Sequence, residues 1–108
     1  MMKRNNDVNL DEILNTTNTI IIFFGAEFCD GCKMVKPIIE ELSIKNKNID
    51  TYYIDTSLNS DLTYLLNVTS IPTTIIVKDK NIIDKAIGYR PLKYFEKIIS
   101  FPFVFYIK

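Results

Sequence analysis

The sequence predicts an α/β fold, a mixed sheet covered by helices. Three observations lead to it. Runs of β-branched and aromatic residues alternate with segments whose apolar residues recur at helical spacing. The first two main strands are joined through a helix, so they should be parallel with a right-handed crossover. The last two are joined by the short turn Lys78-Asp79-Lys80-Asn81, so they should form an antiparallel hairpin.

The elements follow in order. Residues 1–7 are polar and expected to fray. Val8 to Asn15 reads as a short helix with Leu10, Ile13 and Leu14 on one stripe. Asn9 is its N-cap, and Glu12 completes a capping box. Thr19 to Phe24 is a buried strand, apolar from Ile20 onward. A helix follows Cys29 and runs to about Asn46, with Val35, Ile38, Ile39 and Leu42 at helical intervals. Pro37 falls inside it, where a proline costs a hydrogen bond and usually kinks the axis. Ile49 to Ile54 is the second strand. Leu58, Leu62, Leu65 and Leu66 suggest a short helix ending near Asn67. Thr73 to Val77 is a strand reached through Ile71-Pro72, and Ile82 to Ile87 is its hairpin partner, ended by Gly88. Pro91 suits the first position of a final helix whose apolar face is Leu92, Phe95, Ile98 and Ile99. The apolar tail, residues 100–108, should fold over the domain or add to a sheet edge, with contact to a second chain as a third reading.

Composition narrows the function. The 108 residues suit one domain, 1–108, and 47% hydrophobic content can build its core without metals or disulfides. Lys plus Arg equals Asp plus Glu at 13 each, so no general attraction to nucleic acid or anionic membrane is expected. The chain has no histidine, which removes the commonest general base and Cys/His metal chemistry. The basic N-terminus leads into no apolar segment of a signal peptide, and no apolar run nears the ~20 residues of a membrane span. A cytoplasmic, reducing setting is the expectation.

The chemistry concentrates in Phe24-Gly25-Ala26-Glu27-Phe28-Cys29-Asp30-Gly31-Cys32-Lys33, which holds both cysteines of the chain. The pair lies where a strand ends and a helix begins. The unpartnered N–H groups and the dipole of a helix start stabilise an anion. A thiolate is such an anion and is the reactive form of cysteine, so Cys29 should have a lowered pKa. Cys32, one turn on, can reach back to close a disulfide. Asp30 opposes a second negative charge there, and Lys33 partly offsets it. Two structural thiols, or half of a metal site shared between two chains, are the competing readings. One chain offers too few ligands for a zinc site of its own.

Gly-Ala-Glu-Phe-Cys-Asp-Gly-Cys-Lys, the proline at position 37, Val68-Thr69-Ser70-Ile71-Pro72-Thr73 and Gly88 together resemble the thioredoxin family over residues 8–99. The resemblance implies a thioredoxin-like three-layer α/β/α sandwich with a mixed central sheet. It implies that Cys29 attacks a substrate disulfide and Cys32 resolves the mixed disulfide. It also implies that Pro72 is cis beside the pair and that the Ile71 backbone pairs with an extended substrate segment. Phe28, Asp30, Gly31 and Gly88 would complete the substrate surface. Phe28 stands where the family usually carries tryptophan, as an apolar platform or as a core residue. The expected activity is a protein-disulfide reductase. Its only redox group is the Cys29–Cys32 pair, with no metal or other cofactor. Its expected partners are disulfide-containing proteins and a separate thioredoxin-reductase-type donor, and a monomer is the expected state. A binding module with the same fold, or a disulfide oxidase or isomerase, is the alternative.

Some positions depart from the family. Phe23 occupies the place of a buried aspartate credited with deprotonating the resolving thiol, and Thr51 aligns with the lysine that commonly partners it. Proton transfer at Cys32 should then rely on water or substrate. Asp30-Gly31 replaces the usual Gly-Pro, so redox potential does not carry over. The family's first strand is missing from this reading, since too few residues precede the first helix, and the apolar tail is a candidate to fill that edge.

Overall fold

The apolar runs become strands buried on both faces of one sheet, which is why they read as continuous rather than alternating. The computed structural model describes residues 3–4 and 8–100. In chain order the elements are β1 (Lys3–Arg4), α1 (Leu10–Leu14), β2 (Thr19–Gly25), α2 (Asp30–Lys45), β3 (Ile49–Asp55), α3 (Ser60–Leu65), β4 (Thr73–Lys78), β5 (Asn81–Ile87) and α4 (Leu92–Ser100). The sheet order is β1-β3-β2-β4-β5. β2 pairs parallel with β3 and antiparallel with β4, and β4 pairs antiparallel with β5. Asp79 and Lys80 have φ of 51° and 65°, the left-handed pair of a tight hairpin turn.

Strand alternation sorts the core into two layers. On one face Ile21, Phe23, Tyr53, Ile76 and Ala86 pack beneath α2 and α4, through Val35, Ile39, Leu42 and Phe95. On the other, Ile20, Ile22, Phe24, Ile54, Ile75 and Val77 pack against Ile13 of α1 and Leu62 of α3. Each fully buried Ile or Phe side chain contributes roughly 1.5–3 kcal/mol, and the sheet-facing sides of both layers are built mainly from such residues.

The helix starts share one device. Asn9, Cys29 and Asn59 each cap a helix, their side-chain acceptors taking the N–H of Glu12, Cys32 and Leu62. α2 runs unbroken through Pro37, which is solvent-exposed. Water can therefore satisfy the carbonyl that loses its partner.

Several expectations need correction. An N-terminal strand exists: Lys3–Arg4 pairs parallel with β3, Lys3 opposite Tyr52 and Arg4 opposite Tyr53. A two-residue basic strand carries no periodicity, so nothing local announces it, and its residues suit a sheet edge. A second correction concerns α3. It starts after its Asn59 cap, so Leu58 lies outside it, and Leu58 and Leu65 are exposed while Leu62 alone is buried within the helix. The final helix starts at Leu92, one residue past the expected Pro91. Ser100, expected to open the tail, is the last residue of α4. The expected fraying of 1–2 and 5–7, and the placement of 101–108, lie outside the described residues.

α4 is tied to β5 by a polar cluster. The Tyr94 hydroxyl lies 3.1 and 3.0 Å from the two Asp84 carboxylate oxygens, and the Arg90 guanidinium sits 5.5 Å from the Tyr94 ring centroid. Burial holds the Asp84 carboxyl above its ordinary value of 3.8, against the Tyr94 hydrogen bond and the Arg90 charge, which pull it down. The folded protein therefore binds this proton more tightly than the unfolded chain. The stability it contributes is complete below the unfolded value and is lost as pH rises through the raised folded one. Asp84→Asn cannot ionise and keeps an acceptor for Tyr94. Its urea midpoint relative to the parent should rise between about pH 3 and pH 7. A difference that stays constant over that range would contradict the assignment.

Candidate active site

The site is assembled at the end of the sheet where β2 runs into α2. β2 carries the chain out of the core at Gly25, and four residues later Cys29 caps α2 in extended conformation, φ −118° and ψ 109°. The Cys32 N–H donates to Cys29 Sγ at 3.1 Å, and the Lys33 N–H donates to the Cys29 carbonyl at 3.2 Å. The sulfur thus occupies the acceptor position of a helix cap, where amide donors and the dipole of a 16-residue helix favour negative charge. Cys29 and Cys32 form a disulfide, with Cα atoms 5.2 Å apart. They differ in access. Cys29 is partly exposed, whereas Cys32 is buried at 4%.

Two loops from the other half of the sheet meet this turn. The Ile71–Pro72 peptide is cis. A Cβ on Gly31 would lie 3.1 Å from Pro72 Cδ, so the residue between the cysteines abuts the proline ring. The Thr73 hydroxyl closes the proline loop on the Ser70 carbonyl at 2.7 Å. The Gly88 N–H donates to the Pro72 carbonyl at 2.8 Å, with Gly88 at φ 84°, a conformation glycine adopts without strain. Cys29, Cys32, Gly31, Ile71, Pro72 and Gly88 therefore share one surface. Phe28 projects beside Cys29 with 92% of its surface exposed, so it is not a core residue. Asp30 is exposed in the first turn of α2.

Beneath the pair the surroundings are aromatic. Phe23 is fully buried, and its ring centroid lies 5.5 Å from that of Tyr53 on the neighbouring strand. A Cβ on Gly25 would meet Cys32 Sγ at 3.1 Å, Tyr53 Cε1 at 3.3 Å and Phe23 Cζ at 3.4 Å. The buried sulfur and both rings thus converge on this glycine. The Lys36 ammonium sits 5.3 Å from the Tyr53 ring centroid, one turn beyond Cys32. Thr51, aligned with the family's lysine, is buried, and its hydroxyl finds no partner among the described residues.

Sequence alone gives neither Gly25 nor Tyr53 a role at this site. The signal that could have found Tyr53 is register: with β2 and β3 parallel, Phe23 lies directly opposite it. No group of three or more potential metal ligands occurs among the described residues, and none of their helices is long and apolar enough to cross a membrane.

Gly25→Ala tests this convergence. Three contacts at 3.1–3.4 Å leave a methyl group little room. The substitution should cost about 1–3 kcal/mol by overpacking and should raise the alkylation rate of Cys32 in the reduced protein. Denaturant unfolding and mass-spectrometric alkylation would check both, and unchanged stability would refute the tight packing.

Comparison with known proteins agrees with this geometry. The family model described as thioredoxin matches residues 1–100. The chain is 29% identical over 95 residues to a thioredoxin of Mycoplasmoides gallisepticum, covering 88% of this chain and 95% of that one. It is 31% identical over 95 residues to a thioredoxin of Staphylococcus haemolyticus, covering 87% and 90%. Among solved structures, oxidised mitochondrial thioredoxin 3 of Saccharomyces cerevisiae superposes with a TM-score of 0.79 at 25% identity, over 93% of this chain and 95% of that one. A thioredoxin of Nicotiana alata shares the fold with a TM-score of 0.80 at 24% identity, over 91% and 89%.

Proposed function

We propose, from the premise that the chain belongs to the thioredoxin family and is a thiol–disulfide oxidoreductase, that it works as a protein-disulfide reductase. One observation supports this direction of reading above the others: the accessible sulfur is the helix cap and the buried sulfur lies behind it. Attack from outside then falls to Cys29 and resolution to Cys32.

In the reduced protein the Cys29 thiolate attacks one sulfur of a substrate disulfide. The substrate S–S bond breaks, and the departing thiolate takes a proton. A Cys29–substrate mixed disulfide remains. The Cys32 thiol gives up its proton, attacks Cys29 Sγ and releases the second substrate thiol. The substrate gains two electrons and two protons, and the protein is left with its Cys29–Cys32 disulfide. That pair serves as the only redox group. A separate dithiol-delivering reductase restores it, and the setting is a reducing compartment such as the cytoplasm. The substrate segment lies extended along the Ile71 backbone, over Gly31, Pro72 and Gly88, with Phe28 as an apolar flank.

The Cys32 proton leaves to water or to the departing substrate thiolate, because Phe23 holds the position where the family carries its buried aspartate and shares the core cluster of Cys32. The pH–rate profile of the resolving step should accordingly lack an ionisation that a single Asp or Glu substitution removes. Finding such a carboxylate would overturn this step.

The assay of the whole reading is reduction of a protein disulfide with dithiothreitol as donor. Cys29→Ser should lower the rate at least about a hundredfold, as loss of a nucleophile does. Cys32→Ser should accumulate a mixed disulfide visible by mass. Turnover indifferent to Cys29→Ser would refute the reductase.

A further inference from the structure

We infer that Lys36, seated over the Tyr53 ring, is a positioning residue for the second half of the reaction: its ammonium stabilises the thiolate of the buried Cys32 as the mixed disulfide is resolved. The inference rests on the reductase reading above and names a group that drives its resolving step. In that step the Cys32 S–H gives its proton to water or to the departing substrate thiolate. The Cys32 thiolate attacks Cys29 Sγ, and the second substrate sulfur departs with the electron pair of its bond to Cys29. Negative charge therefore forms on a side chain that is 4% exposed, where loss of water opposes it.

Three observations bring a cation to that sulfur. Lys36 lies four residues after Cys32 on α2, a spacing that puts Cβ atoms about 5–6 Å apart on one helix face. Its Nζ lies 5.3 Å from the Tyr53 ring centroid, within cation–π range. Tyr53 Cε1 and Cys32 Sγ in turn border one gap, 3.3 and 3.1 Å from where a Gly25 Cβ would stand. The ring holds the ammonium near the floor of the site, where a lysine stem without that contact would swing into water. Tyr53 is as buried as Cys32, so the charge acts through protein rather than through bulk water and is felt more strongly. Lys36 is not neutralised nearby: the ion pairs found among the described residues are both made by Lys45, with Glu41 and Glu96.

The other charged and titratable groups around Cys32 do not take this role. On α2, Asp30 has the wrong sign, and Lys33 is exposed and makes no ring contact among the described residues. Glu27, before the helix, is an exposed acid. β2 carries no charged residue, and Lys78 of β4 stands at the end far from the site. Asp55 closes β3 opposite Gly25, but the Ser57 N–H and hydroxyl take up its carboxylate at 2.9 and 2.6 Å. Tyr94 of α4 packs on the same cluster, with its hydroxyl bonded to Asp84 of β5. Lys3 and Arg4 belong to the edge strand β1, beyond Tyr53.

The test measures Cys32 directly and then the step it performs. In Cys29→Ser, Cys32 is the one remaining thiol, and its ionisation is followed by thiolate absorbance against pH. Lys36→Gln in that background should raise the Cys32 pKa by about half a unit to one unit, which lowers the thiolate fraction below it about three- to tenfold. Lys36→Arg keeps the charge and Tyr53→Phe keeps the ring, so each should hold that fraction within about twofold of the parent. Lys33→Gln should shift Cys32 by less than about half as much as Lys36→Gln. With both cysteines present, single-turnover release of the second substrate thiol is then followed against pH. Below the Cys32 pKa, Lys36→Gln should be about two- to fourfold slower, because the more basic thiolate is the better nucleophile and recovers part of the loss. Above that pKa it should be about two- to threefold faster. A purely structural defect slows the step at every pH. An unshifted Cys32 in Lys36→Gln, an equal shift in Lys33→Gln, or a rate deficit that does not reverse with pH would each overturn the role of Lys36 and leave the reductase reading standing. Absence of parent turnover on every protein disulfide refutes that reading, and the role of Lys36 falls with it.

Discussion

The hydrogen bond from the Cys32 N–H to Cys29 Sγ, 3.1 Å long, is the interaction on which the rest of the molecule converges. It requires a helix that begins at the cysteine, because only a first turn offers an unpaired amide at that spacing. It requires a rigid strand before it, and β2, buried along its whole length, supplies that. It requires that the helix not slide on the sheet, which Val35, Ile39 and Leu42 prevent by burying themselves on the Phe23 face. A polar cap such as serine would satisfy the same amide. Sulfur in that position satisfies it and also exchanges bonds.

The aromatic underside is the feature that sets this chain apart from the family pattern it resembles. Phe23 stands where the pattern has a buried acid and packs against the Tyr53 ring, and Gly25 makes room for the buried sulfur beside both rings. An ionised carboxylate there would need a buried partner, and Thr51 cannot act as a counter-charge. An apolar floor avoids that desolvation cost. It also leaves no carboxylate at that position to take a proton from the buried Cys32, so stability and proton transfer are linked through one position. The Lys36 ammonium over the Tyr53 ring is the cation nearest this floor that the ring contacts reveal, and it lies on the solvent side of α2.

The far half of the sheet serves the site differently. β4 begins directly after Pro72 and β5 ends directly before Gly88, and the Gly88 N–H to Pro72 carbonyl bond joins the two at the reactive surface. α4 holds β5 in place through Phe95 and the Tyr94–Asp84 hydrogen bonds. The cis-proline loop is therefore tied down by regular structure, which favours a fixed rather than an adaptable surface beside the cysteines.

Local patterns in the chain determined the strands β2 to β5, the helices α1, α2 and α4, the capping role of Asn9 and the helix-mouth position of Cys29. Each of those depends on residues close in sequence, through periodicity, turn chemistry or capping. The resemblance to a family added the cis form of Pro72, which no local pattern specifies. Tertiary structure alone decided what lies across from what. The pairing of Lys3–Arg4 with β3, the solvent exposure of Leu58 and Leu65, and the meeting of Phe23, Tyr53 and Cys32 over Gly25 all arise from strand register and layer packing. Residues far apart in the chain are brought together there by the burial of whole faces, and no short stretch of sequence records which partner a face will meet.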